Sequence, residues 1–319
     1  METRSWDIIG RRRWGYALSL LIILPGLVAL LTRGLNLGID FTGGTLLDVR
    51  LGRDAPLAEV RTTLQAFGLA DAIIQKSPDR PRQVLIRTPP LDEATTARVT
   101  ATLARHFGGA EVLLAERVGP TVGRELRTRA MVAVVLGLLL QVVYISWRFR
   151  SVRFAVTADI ALVHDLLVVV GLYALLGIQV DSSFVAVLLT VVGYSINDTV
   201  VIFDRIRESQ AAFRGRTPFD RLVNRSILEV LVRSLTTGLG ALMAIGAIYF
   251  LGGVTLRDFA FGLGVGILTG TYSSIFVASP LLVEWERWTA RARGPQPAAA
   301  ARPAGTKRIS PSGSKRTLP

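Results

Sequence analysis

The residue most able to do chemistry is Asp198, in the run Ser195-Ile196-Asn197-Asp198-Thr199-Val200-Val201-Ile202-Phe203-Asp204-Arg205-Ile206-Arg207-Glu208. The apolar stretch ends at Asp204 and Arg205, so helical rise puts Asp198 about 10 Å deeper. A carboxylate at that depth in hydrocarbon is expensive and defaults to a functional reading. On a helix it shares a face with Tyr194, Ser195 and Ile202. Ion or proton handling is one reading; a helix-packing hydrogen bond or structural ion pair is the other. His164-Asp165 forms a second polar point, about 16 Å inside its own apolar run if Arg153 marks the edge. Neighbours on a helix diverge by about 100°, so the two side chains cannot serve one partner equally well. A buried structural network and a proton relay both fit them. A metal phosphohydrolase does not, because such sites need several more histidines and the chain has only His106 and His164. Arg233 opens a fifth apolar run. It either snorkels to the headgroups or turns inward to pair with Asp198.

Two glycine patterns accompany these groups. Gly38-Ile39-Asp40-Phe41-Thr42-Gly43-Gly44-Thr45 lies just past the first apolar run. It reads as a tight junction between a membrane helix and a strand, on which an outer domain could hinge. It is no phosphate loop, since no Lys-Ser/Thr and no helix start follow. Gly262, Gly266, Gly270 and Ser274 recur at spacing four in the last apolar run. Small residues so spaced make a close-approach helix face, for packing within the chain or against another membrane subunit.

The elements that must position these groups are membrane helices. Half of the 319 residues are hydrophobic, 19% are charged, and mean hydropathy is +0.44. Charge-free runs at 14–32, 130–147, 234–256 and 259–283 can each cross a hydrocarbon core about 30 Å thick. Two further runs carry only His164 with Asp159 and Asp165, or only Asp198. The expected spans are 14–33, 129–148, 154–177, 183–204, 231–252 and 258–283. Basic residues flank them on one side: Arg11, Arg12 and Arg13; Arg148, Arg150 and Arg153; six arginines within 205–230; and the stretch after 283. That asymmetry places both termini, 1–13 and 284–319, and the 205–230 loop in the cytoplasm. It also accounts for the net charge of +13, so nucleic-acid binding is not inferred. No A-x-A-like site follows the first run, which therefore reads as a retained span. The chain has no cysteine. Disulfides, cysteine-ligated zinc, iron–sulfur clusters and thiol catalysis are excluded; no metal, cofactor or enzymatic activity is expected.

Residues 34–128 form the sizeable outer loop. Strand alternation at 45–51 is followed by a helix at 56–68, with Leu57, Val60, Leu64 and Phe67 on one stripe. Short β-branched runs at 71–76 and 83–87 flank a Ser-Pro-Asp-Arg-Pro break. A helix at 91–107 ends at Gly108-Gly109, and a last strand covers 111–118. The order βαββαβ predicts a small α+β ferredoxin-like domain. Residues 284–319, of which 294–319 are rich in Pro, Ala, Ser and basic residues, predict a disordered basic tail able to meet anionic headgroups or the ribosome.

The blocks at 38–45, Val118-Gly119-Pro120-Thr121-Val122-Gly123-Arg124-Glu125-Leu126-Arg127, His164-Asp165 and 195–208 resemble the SecD/SecF family of protein-export membrane proteins, across about 6–288. The 195–208 block is specific to that group. Six spans alone indicate only a half-unit of the wider RND transporter superfamily. The small outer loop is similar to the SecF branch. The resemblance implies a subunit of the bacterial inner membrane that pairs with SecD to give twelve spans. It implies contacts with the SecYEG channel, YajC, the translocating preprotein and membrane lipids. It also implies that the proton motive force drives late steps of export, with Asp198 and Arg233 as proton-relay residues beside His164 and Asp165. Gly38, Asp40, Phe41, Gly43, Gly44, Asn197, Asp204 and Arg205 would be motif residues of structural weight. Competing readings are an RND-type solute exporter, for which one loop of this size is too small to form a substrate tunnel, an intramembrane enzyme, which lacks a nucleophile–base set, and a purely structural assembly subunit.

Overall fold

The computed structural model describes residues 6–77, 80–213 and 217–293. The expected disorder of 294–319 and the turn at 78–79 lie outside the described residues. Helix α1 (Arg12–Arg33) leads to a two-residue strand β1 (Asn36–Leu37), a one-turn helix α2 (Ile39–Thr42) and the α+β domain. That domain runs β2 (Gly44–Leu51), α3 (Leu57–Gln65), β3 (Ile73–Ser77), β4 (Arg80–Thr88), α4 (Glu93–Phe107) and β5 (Ala110–Val118). The sheet order is β3-β4-β2-β5, with every pair antiparallel, so the predicted ferredoxin-like topology is the one observed.

Period-two and period-3.6 patterns meet in its core. Leu47, Val49 and Leu51 alternate inward from β2 and Val84 and Ile86 from β4. They receive Val60 and Leu64 from α3 and Val99, Leu103 and Phe107 from α4. Asp92 caps α4 by accepting the Thr95 N–H at 2.7 Å, and Gly108, at φ 71°, closes the helix in the left-handed conformation. Arg87, 6% exposed, gives one Nη to Gln75 at 2.8 Å. Burial holds its guanidinium below the usual arginine range, opposed by Asp258 and Asp181 on the adjoining helical part.

The chain then returns through α5 (Pro120–Phe149), α6 (Val152–Leu176), strand β6 (Gln179–Val180), α7 (Ser182–Phe213), α8 (Phe219–Leu251) and α9 (Val254–Ser273). A π-helical turn (Ser274–Ala278) joins α9 to α10 (Ser279–Arg293). Among the described residues, six helices are long and apolar enough to cross a membrane, the sixth comprising α9, the π turn and α10. Several run past the expected limits. Pro120 sits at the first helical position of α5, where its missing N–H removes no bond. Within 205–230, α7 continues to Phe213 and α8 begins at Phe219. Residues 284–293, expected to open the disordered tail, are helical. Ion pairs fasten them: Arg12–Glu284 at 2.5 Å, with Arg153–Glu286 and Arg287–Asp220 beside it. A helix satisfies its own backbone while its charges stay in water, so leaving the apolar region does not end it.

Glycines set the helix spacing. A Cβ built on Gly26 of α1 would lie 2.7 Å from Gly171 Cα of α6. On α9, Gly262 faces Val187, Gly266 faces Val191 and Gly270 faces Ser195, three successive turns of α7. The small-residue stripe thus packs within the chain. Gly266→Leu should force α9 from α7 and lower stability by about 1–3 kcal/mol, read by thermal unfolding in detergent. Gly264→Ala, with 3.8 Å to its nearest neighbour, should be silent.

Candidate functional site

Two apolar clusters divide the bundle. One holds Val169, Tyr173, Val187, Val191 and Leu263; the other holds Ala158, Ala161, Ile196, Ile202, Phe203 and Ile275. Polar residues of α6 and α9 and Ser195 of α7 fall between them, while Asp198 and Thr199 of α7 follow Ile196, within the stretch of the second cluster.

Asp165 is fully buried within this layer. One carboxylate oxygen meets His164 Nδ1 at 2.9 Å. The other accepts the Ser273 hydroxyl at 2.8 Å and the Ser195 hydroxyl. His164 Nε2 lies 2.9 Å from Ser19 of α1, whose hydroxyl is 3.2 Å from Tyr272 Oη. Tyr272 donates to the Gly15 carbonyl at 2.6 Å. His164 and Asp165 therefore both enter one network, bonding each other and then dividing their remaining partners. The chain of bonds runs from α1 through α6 to α7 and α9.

Asp198, 4% exposed, is held differently. Its Oδ2 accepts the Thr271 hydroxyl at 3.0 Å; Ser234 of α8 lies near the carboxylate, but its buried hydroxyl makes no hydrogen bond among the described residues. Next to it, Thr199 pairs with Ser274 at 2.7 Å. Arg233 is exposed on α8 and forms no ion pair among the described residues. One step of about 100° separates it from Ser234. The group that α8 offers Asp198 is thus a hydroxyl, and the inward ion pair is absent in this conformation. Asn197 lies on the exposed side of α7, away from the network. Asp204 reaches Arg148 of α5, while Arg205 reaches Glu229 of α8 at 2.5 Å and Glu208 at 2.9 Å. These charges tie helices together at the end of the bundle that carries both described chain ends.

The 38–45 block fastens the βαββαβ domain to the helices. Asp40 Oδ2 accepts the Ser182 N–H at 2.8 Å, at the first residue of α7. β1 pairs in parallel with β6, and the Gly38 N–H reaches the Val180 carbonyl at 2.8 Å. Phe41 is buried in the apolar cluster that holds Val169 and Tyr173. Gly43, at φ 75°, leaves its would-be Cβ 2.9 Å from Pro120 Cα, and that of Gly123 falls 2.9 Å from Gly43 N. A side chain at either position would separate the α+β domain from α5. Gly44 lies equally close to the Thr88 carbonyl, 2.6 Å from its would-be Cβ.

Sequence reasoning did not single out Ser19, Thr199, Ser234, Thr271, Tyr272 or Ser273, and named Ser274 only as the last member of the small-residue stripe. The available signal was the density of hydroxyls at 269–274, read there only for its glycine spacing. Among the described residues no group of three metal-ligating side chains forms.

A βαββαβ domain set on six membrane helices, with carboxylates buried among hydroxyls between those helices, defines a polytopic membrane protein of transporter-like architecture. Residues 98–288 match the model described as "Protein export membrane protein SecD/SecF, C-terminal", and residues 28–55 match the SecD/SecF GG motif. The chain belongs to the SecD/SecF family. It is 43% identical over 298 residues to the protein translocase subunit SecF of Thermobaculum terrenum, covering 88% of this chain and 94% of the relative. It is 40% identical to the protein translocase subunit SecDF of Thermus thermophilus, covering 88% of this chain and 38% of that longer one. The crystal structure of Thermus SecDF, described as a translocon-associated membrane protein, superposes with a TM-score of 0.83 at 39% identity, over 89% of this chain and 39% of that one. A second SecDF structure, in a super-membrane-facing form, gives 0.68 at 38% identity, over 92% and 40%.

The two carboxylates should differ in their weight for the fold. Asp165→Ala strands His164, Ser195 and Ser273 together and should destabilise by about 3–5 kcal/mol. Asp198→Ala strands fewer donors and should cost about 1–3 kcal/mol. Denaturation of the purified chain in detergent checks the order.

Proposed function

We propose that this chain is an accessory subunit of the protein translocase, working with a SecD-type subunit to couple the proton motive force to late steps of protein export. The observation that carries this is Asp198: a carboxylate buried at mid-bundle, hydrogen-bonded by the Thr271 hydroxyl with the Ser234 hydroxyl nearby, and not held by a fixed cation. Hydroxyls can donate to the charged form and accept from the protonated form, so such a site can exchange a proton without rebuilding its surroundings. Moving one charge through the whole field supplies about 2.3 kcal/mol per 100 mV, enough to bias a domain position.

The coupling route is α7. Asp40 of the junction holds the helix's first N–H, and Asp198 lies sixteen residues on, about 24 Å along one rigid rod. A shift of α7 at Asp198 is thereby delivered to the outer domain. Arg233 would supply the counter-charge in a second state, after α8 rotates. His164 and Asp165 would relay protons or hold the layer's geometry. The partner assignment rests on the fused relatives, of which this chain spans about two fifths. Contacts with SecYEG, YajC and the emerging preprotein complete the proposal. The chain would sit in the bacterial inner membrane with both termini cytoplasmic. A solute exporter fits less well, because the single outer domain has a packed core of its own.

Asp198→Asn should abolish the stimulation of export by a proton gradient in vesicles, while leaving expression and partner association unchanged. Normal stimulation in that variant would make Asp198 a packing residue. Topology has its own test, which the absence of cysteine makes clean. Arg221→Cys should react with an impermeant maleimide only from the cytoplasmic side, and Thr62→Cys only from outside.

A further inference from the structure

The sixth span breaks its α-helical ladder beside the polar layer, at the π turn Ser274–Ala278. The sequence supplies the cause. Pro280 has no N–H, and its ring crowds the carbonyl four residues earlier, that of Phe276. That carbonyl is turned toward Gly15 of α1, where a Cβ would lie 3.1 Å away. Ser279 Oγ donates to the Ser274 carbonyl at 2.8 Å, across five residues. Ser273, Ser274 and Ser279 are all fully buried.

The extra residue of a π turn rotates the helix downstream of it by about 100° relative to the helix before it. Each side of this turn has its own partners. Before it, Thr271 serves Asp198 and Ser273 serves Asp165, and at its first residue Ser274 pairs with Thr199. After it, α10 is bound through Glu284, Glu286 and Arg287 to α1, α6 and α8. A continuous α-helix would satisfy one set and rotate the other away.

We propose that the π turn, maintained by Pro280 and Ser279, is a register spacer that positions Thr271 and Ser273 on the two buried carboxylates while the ion pairs of α10 stay closed. Pro280 and Ser279 are positioning residues, since neither touches a carboxylate. A proton arriving at Asp165 or Asp198 then acts on the same helix. That functional consequence rests on Asp198 being the proton site proposed above. The titratable groups facing the layer are His164 and Asp165 from α6, Tyr194 and Asp198 from α7, and Tyr272 from α9. From α1 and α8 it receives the hydroxyls of Ser19 and Ser234.

The test uses the full chain with its SecD-type partner in liposomes. Spin labels are placed at Trp147→Cys of α5 and Trp288→Cys of α10, both exposed in a chain without cysteine. Pro280→Ala restores the missing N–H and should let the span become continuous, shifting the label distance. In the same samples, the infrared carboxyl band that Asp198→Asn removes should titrate with its midpoint moved by about tenfold in proton concentration. Ser279→Ala, a milder change should Pro280→Ala fail to fold, should move both readouts in the same direction, and Ser279→Thr should restore them. An unchanged distance overturns the spacer, and so does a changed distance with an unmoved midpoint. If the parent shows no titrating Asp198 band, the proton reading fails instead, and the label distance alone decides the spacer.

Discussion

Keeping a carboxylate in the middle of a hydrocarbon-spanning bundle is the constraint on which this structure turns. Water cannot solvate it there, so the protein must provide donors from side chains. The donors used are almost all hydroxyls: Ser195, Ser273 and Thr271, with Ser19, Thr199 and Ser274 tied in behind them. A hydroxyl adds little bulk and no charge. It therefore fits between helices that apolar packing has already brought together.

That packing is itself set by what is missing. Gly262, Gly266 and Gly270 bring the α9 backbone onto α7, and Gly26 meets Gly171 where α1 crosses α6. Short side chains have short reach, so Ser273 can bond Asp165 only if α9 and α6 stand close. The glycine stripe and the hydroxyl layer are two aspects of one arrangement. Loss of the first would undo the second without touching a polar atom.

The same economy of contact joins the α+β domain to the helical part. Asp40 on Ser182, β1 on β6, and Gly43 against Pro120 and Gly123 fix the domain to α7 and α5 at once. The domain keeps its own closed core, so it can be carried as a body. At the other end, Asp204 and Arg205 tie α7 to α5 and α8, beside the packed rings of Phe149, Phe154 and Phe203. Helix α7 is therefore held at both ends and carries Asp198 between them.

Much of this was legible in the chain itself. Apolar runs long enough to span, the alternation of 45–51 and the glycine-terminated helix before Gly108 report local periodicity, which comes from backbone geometry alone. The depth of Asp198 and of His164-Asp165 came from helical rise. The partners of those groups did not. Whether Arg233 or Ser234 faces Asp198 depends on the rotation of α8, and one residue changes the answer by about 100°. The glycine block's role depended on Pro120 and Gly123 arriving from about eighty residues away. The π turn depended on Pro280 acting four residues back, against a glycine in the first span. Sequence determined which residues had to be buried and at what depth; only the tertiary structure decided what they meet, because contact between helices is set by crossing, rotation and close approach, none of which a single helix's periodicity contains.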